Sequence, residues 1–173
     1  MPLATWCLSF VLLLLPQAAP PPAPTRDAIL KASRTIIANA RYATLATTSA
    51  AAGSDARIID PFTPGDDFTV WFATNATSRK VQQLRADPRV TLLYFDAANK
   101  GYVTLKGTAT LVRDPKEKAA RWKDEWAGMY ANNNLGDDYL LVRIAPDTLE
   151  VVSVALGMIN DPATWRPVTL KLK

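Results

Sequence analysis

Between residues 42 and 154 no periodicity is held for long. Apolar and polar residues alternate in short runs, and most runs stop at Gly, Pro, Asp or Asn. That punctuation admits short strands and leaves little room for helices. Residues 42–48, 57–62, 68–73, 90–95, 102–112, 139–144 and 149–154 read as strands. The breaks between them are the Ala/Gly/Ser segment 49–54, Pro64-Gly65-Asp66-Asp67, Asn99 to Gly101 and Pro146-Asp147. The last two strands read as a hairpin around Pro146-Asp147, and the tail from Trp165 adds an edge strand. Helical character is confined to three places: a segment capped by Thr25, residues 77–86, and residues 116–129 entered through Asp114-Pro115. Strands that do not alternate with helices exclude a doubly wound sheet. The expected class is α+β, mainly β, a barrel of about six to seven strands with flanking helices.

The first 25 residues differ in kind. No charged side chain precedes Arg26, residues 6–15 form one apolar run, and Pro20 to Pro24 is proline-rich. A run of about ten residues is half the roughly 20 needed to span a bilayer. With Ala18 and Ala19 after it, the run reads as a secretory signal, so residues 1–25 are expected to be signal peptide and linker and 26–173 the folded domain. Export to the periplasm or the exterior, with no stable membrane span, follows. A membrane anchor or a misplaced start is the competing reading.

The chain has no His, and its single Cys is Cys7. Once the leading segment is removed neither residue remains, which excludes disulfides, thiol nucleophiles, His bases, His-ligated haem and the usual zinc sites. No metal site is expected. Net charge is +4, but Lys and Arg are interspersed with acids, which argues against nucleic acid as a partner.

The chemistry concentrates in Thr74-Asn75-Ala76-Thr77-Ser78-Arg79-Lys80, where a strand runs into a helix. A helix N-terminus carries open N–H donors and partial positive charge, so it favours acids. Arg79 and Lys80 stand there instead. A bound anion resolves the conflict, and a phosphate held by Ser78, Arg79, Lys80 and the backbone is the natural candidate. A solvated basic helix start is the competing reading.

These residues resemble a known superfamily. Tyr42-Ala43-Thr44-Leu45-Ala46-Thr47, Arg57 opening the second strand, Thr74-Asn75 with Ser78-Arg79-Lys80, Asp87-Pro88-Arg89-Val90 and Lys106-Gly107-Thr108-Ala109 occur in the order found in the pyridoxamine 5′-phosphate oxidase-like FMN-binding split barrels. The resemblance spans residues 35–155 and is greatest to the small general-stress and exported flavin-binding members. It implies a split β-barrel of antiparallel, Greek-key-like strands and FMN as cofactor. Arg57, Ser78, Arg79 and Lys80 would hold the FMN phosphate. Backbone around Ile58, Ile59, Ala73 and Thr74 would line the ribityl chain and ring, and Tyr102 falls where relatives place a Gln that contacts the flavin.

It further implies an oxidoreductase with a nicotinamide or small-molecule redox partner, working as a homodimer with flavin sites at the interface. A non-catalytic flavin-binding or stress-protective role, or a deazaflavin coenzyme in the same pocket, are the alternatives. No catalytic residue is identified. The vitamin-forming members carry a Lys five residues after the strand-two Arg, where this chain has Phe62, and an Arg-x-His pair, where it has no His. The vitamin is therefore not the expected substrate. Trp122, Trp126 and Met129 share one face of the expected 116–129 helix and read as core, and Asp60 reads as structural.

Overall fold

A computed structural model describes residues 22–49 and 53–173. Most of the expected targeting segment, up to residue 21, and residues 50–52 of the expected 49–54 turn lie outside the described residues.

The first helix, α1 (Arg26–Ala40), begins as its sequence demands. The Thr25 hydroxyl accepts from the Ala28 amide, and Asp27 sits in the positive first turn. Its apolar side, Ile29, Ala32, Ile36 and Ile37, is buried against the sheet. Seven strands follow: β1 (Ala43–Ser49), β2 (Gly53–Ile59), β3 (Val70–Asn75), β4 (Arg89–Asp96), β5 (Gly101–Val112), β6 (Tyr139–Ser153) and β7 (Val168–Lys171), with α2 (Arg79–Ala86) after β3 and α3 (Pro115–Ala120) after β5. All pairings are antiparallel, in the order β2-β1-β4-β5-β6-β3, and β7 also pairs with β6. The sheet curls into the expected split barrel. Just past β2, the Phe62 amide bonds to the Trp71 carbonyl of β3 at 2.8 Å, drawing the two ends of the sheet together. Leu45, Leu92, Val103, Leu105, Leu149 and Phe72 fill the interior and are at most 1% exposed. Each such side chain contributes about 1.5–3 kcal/mol relative to exposure.

Four sequence expectations are corrected. The second strand was expected at 57–62 but runs from Gly53 to Ile59, paired with β1 from Ser49↔Gly53 to Ala43↔Ile59. Pro61 has no amide to give a ladder, so pairing stops before it. The hairpin around Pro146-Asp147 does not form. Residues 139–153 make one strand, and Pro146 faces Gly107 where the β5 register shifts between Lys106 and Gly107. The shift absorbs the missing proline N–H. Gly107 is required there, because a Cβ would lie 2.6 Å from the Pro146 Cα.

The helix expected over 116–129 ends at Ala120 and gives way to a 3₁₀ turn at Asp124–Trp126. The break comes from aromatic packing: Trp122 and Tyr130 meet the Tyr139 ring edge-on, with centroids 5.3 and 4.9 Å away. Met129, expected in the core, is exposed. The tail strand forms as expected, as β7.

Candidate functional site

The turn between β3 and α2 is shaped by Asn75. Its side-chain oxygen accepts from the Thr77 amide at 2.9 Å and its carbonyl from the Ser78 amide at 3.1 Å. This places Ser78 as the N-cap of α2, but its hydroxyl makes no capping bond, and no acid occupies the first turn. The helix's own bonds begin with Val81, so the Arg79 and Lys80 amides stay open. The Ser78 hydroxyl instead lies 3.4 Å from the Thr74 hydroxyl. Lys80 folds back, donating from Nζ to Thr74 Oγ1 at 2.8 Å.

Arg57 reaches the same place from β2. Its Nη1 donates to Thr47 Oγ1 at 2.6 Å and its Nη2 to Gln83 Oε1 at 2.8 Å. Gln83, buried on α2, also donates to Asp55, whose carboxylate lies 3.3 Å from Arg79. Arg57 and Arg79 thus flank one carboxylate, and Lys80 lies close enough to feel the Arg57 charge. Burial lowers the Lys80 pKa below its ordinary value, and the Arg57 charge lowers it further. Burial also lowers that of Arg57, opposed by Asp55 and reinforced by Arg79. Packed like charges beside an uncapped helix terminus are the arrangement that a multiply charged anion would neutralise. Arg79 is 71% exposed, so the cluster lies at an open surface.

The structure therefore brings together Arg57, Thr74, Ser78, Arg79 and Lys80. It places the other candidates elsewhere. Ile59 is buried in the core, and Ile58, on the opposite face of β2, is 66% exposed. Ala73 pairs with Leu141 on β3, the last strand of the sheet order. Tyr102 stands on β5 between Phe95 and Val152. Thr47, Asp55 and Gln83 were missed. Asp55 had a signal, since it lies two residues before Arg57 and so on the same face of the strand. Thr47 and Gln83 had none, because only the fold brings β1 and α2 together. Among the described residues no group of three or more His, Cys, Asp or Glu could hold a metal, and no helix is long and apolar enough to cross a membrane.

The family described as Pyridoxamine 5′-phosphate oxidase matches residues 29–153. No curated protein matches the sequence. Among solved structures, General Stress Protein 26 from Bacillus anthracis is 21% identical with a TM-score of 0.64, covering 82% of this chain and 97% of its own. A protein from Clostridium acetobutylicum related to general stress protein 26 is 16% identical with a TM-score of 0.69, covering 85% and 96%. A pyridoxamine 5′-phosphate oxidase-related, FMN binding protein from Nostoc punctiforme is 14% identical with a TM-score of 0.62, covering 87% and 97%. At these identities the likeness is one of fold.

Proposed function

The chain belongs to the pyridoxamine 5′-phosphate oxidase family, and from that premise we propose that it is an FMN-binding flavoprotein oxidoreductase that does not act on the vitamin itself. The observation that carries the reading is the cluster at the start of α2. Arg57, Arg79 and Lys80 gather with two open amides and a Ser78 hydroxyl that makes no capping bond and only a long contact to Thr74, beside Asp55. A phosphate monoester suits that charge. In this reading Ser78, Arg79 and the α2 amides bind the phosphate oxygens from outside. Lys80 and Arg57 supply charge from the half-buried side, and Thr47 and Gln83 hold Arg57 in orientation. The flavin supplies the hydride and electron chemistry when bound, so no protein nucleophile is required. A nicotinamide or small-molecule donor would serve as redox partner.

Phe62 stands where the vitamin oxidases place a Lys, and it packs edge-on to Trp126 at 6.0 Å. The Phe62 side chain itself supplies no cation for a vitamin phosphate, and the neighbouring Lys123 Nζ lies over its ring at 5.1 Å. The open side of the cluster also supports a homodimer with flavin at the interface. Ile58 on β2 and Leu93 and Phe95 on β4 are 66%, 38% and 64% exposed on the sheet's outer face, an apolar strip fit to meet a second copy. Export after removal of the leading segment completes the proposal.

Titration of the purified protein with FMN, followed by flavin fluorescence, is the test. Arg79→Ala with Lys80→Ala should weaken binding by several kcal/mol, from the loss of two charge-assisted contacts. A wild-type protein without affinity for FMN would refute the reading. A second reading, flavin binding without catalysis, is favoured by the stress-protein descriptions of two of these structural relatives. Reoxidation kinetics after NAD(P)H addition separate the two.

A further inference from the structure

A cavity of about 590 Å³ lies between α1, the loop after β2 and the segment after α3, and none of the phosphate-cluster residues lines it. Its apolar walls include Ile37, Phe62 and Phe68, and its charged groups are Arg34, Arg41, Lys123 and Asp60. The volume suits a small organic ligand. The loop wall is preformed. Pro61 and Pro64 fix its backbone, and the Phe62 and Gly65 amides tie it to Trp71 and Thr69 at 2.8 and 3.0 Å.

Three independent features distinguish this space from a packing gap. Tyr94, on β4, lines it and is 1% exposed, yet its buried hydroxyl has no hydrogen-bond partner. Such groups are rare in folded proteins, and a polar group entering the cavity would satisfy this one. Second, Arg41 Nη2 and Lys123 Nζ lie 3.9 and 3.8 Å from the same Asp60 oxygen, too far for a hydrogen bond to either. Lys123 is as loosely placed against Glu125, at 4.0 Å, so both cations keep donors to spare, while Arg34 engages Asp66 on the loop. Third, Arg41 and Phe68 hold φ of 57° and 62°, a region that side chains avoid, and both line the cavity. Backbone strain of this kind concentrates at ligand sites.

We propose that this cavity is a binding site for a small organic anion with a flat apolar body and a hydrogen-bonding group at its far end. The anionic end meets Arg41 and Lys123, the body lies against Phe62 and Phe68, and the far group meets the Tyr94 hydroxyl. The graded exposure fits that order, since the Arg41 side chain is 67% exposed, Lys123 30% and Tyr94 1%. The proposal stands on these residues alone and does not depend on the flavin reading.

Calorimetric titration of the full protein with 4-hydroxybenzoate, benzoate and neutral 4-hydroxybenzyl alcohol tests it. The expected order of affinity is 4-hydroxybenzoate, then benzoate, with the neutral alcohol weakest. Arg41→Gln and Lys123→Gln should each weaken both anions about tenfold, the loss of one charge-assisted contact. Tyr94→Phe should bring 4-hydroxybenzoate down to the affinity of benzoate and leave the melting temperature of the ligand-free protein unchanged or higher. Saturating FMN, and the Arg79→Ala/Lys80→Ala variant, should leave probe binding unaltered. No saturable binding of either anion up to millimolar concentration overturns the proposal. So does equal affinity for the neutral alcohol, wild-type affinity in the Arg41 and Lys123 variants, a lowered melting temperature in Tyr94→Phe, or stoichiometric displacement by FMN. Probe binding lost while FMN binding persists refutes this site alone, and the reverse result refutes the flavin site alone.

Discussion

Lys80 should give the anion site an alkaline limit that begins earlier than an ordinary lysine allows. Its amine is half-buried, accepts a second positive charge nearby in Arg57, and is anchored to Thr74 Oγ1 at 2.8 Å. Both burial and Arg57 disfavour its charged form, so its pKa in the free protein lies below 10.5. The sign follows. As pH rises through that lowered value, Lys80 loses the proton that makes it a cationic donor, and a bound phosphate loses one charge-assisted contact. Such a contact is worth about 1.5–3 kcal/mol, or about ten- to a hundredfold in Kd. The ligand-free protein behaves oppositely: it gains stability over the same window, because folding no longer forces an unwelcome charge. On the acid side a phosphate monoester loses its second charge near pH 6, so FMN affinity should peak between these limits. The assay is fluorescence titration of FMN across pH at fixed ionic strength, with riboflavin in parallel to remove ring effects. Lys80→Arg, which keeps its charge at every accessible pH, should abolish the alkaline limb. An FMN affinity that is flat up to pH 10.5, or a limb that persists in Lys80→Arg, would show that Lys80 does not hold the phosphate.

Gln83→Met should free Arg57 from its anchor, weakening FMN about tenfold while leaving riboflavin binding unchanged; the same titrations decide it. Gly107→Ala should destabilise the fold by about 1–3 kcal/mol, since the added methyl meets the Pro146 backbone across the ladder, and urea denaturation measures it. Pyridoxamine phosphate should not be turned over at a useful rate. Loss of two charged contacts to its phosphate costs about 3–6 kcal/mol, and an oxidase assay beside an authentic vitamin oxidase within tenfold would contradict the assignment of Phe62.

The strand content and the α2 anion signature were legible because they are local. Alternation names strands, and two cations at a helix start break a local electrostatic rule, which Asp55 answers in part from 3.3 Å. Where the reading failed, a distant partner decided. Pro146 looks like a turn in isolation, but Gly107 on β5 offers a bulge that lets β6 continue through it. The 116–129 periodicity is genuinely helical, yet Tyr139, on β6, gathers Trp122 and Tyr130 more effectively than a continuous helix permits. The site was half visible for the same reason. Arg57, Arg79 and Lys80 announce themselves by charge, whereas Thr47 and Gln83 are ordinary polar residues until the barrel places them on either side of Arg57.

The contact between Arg26 Nη1 and the Lys171 carbonyl, 3.2 Å apart, joins the first helix to the last strand. Both ends of the folded domain therefore leave from one corner. Whatever is attached ahead of Arg26 and whatever follows Lys173 emerge side by side, and a tether at either end holds the barrel in nearly the same attitude. A short Gly/Ser bridge can connect the two ends covalently, with new termini cut at the Ala97 to Lys100 turn between β4 and β5. Such a rearranged chain keeps every rung of the ladder, so its folding would show that the order in which the strands are made is not what selects this barrel.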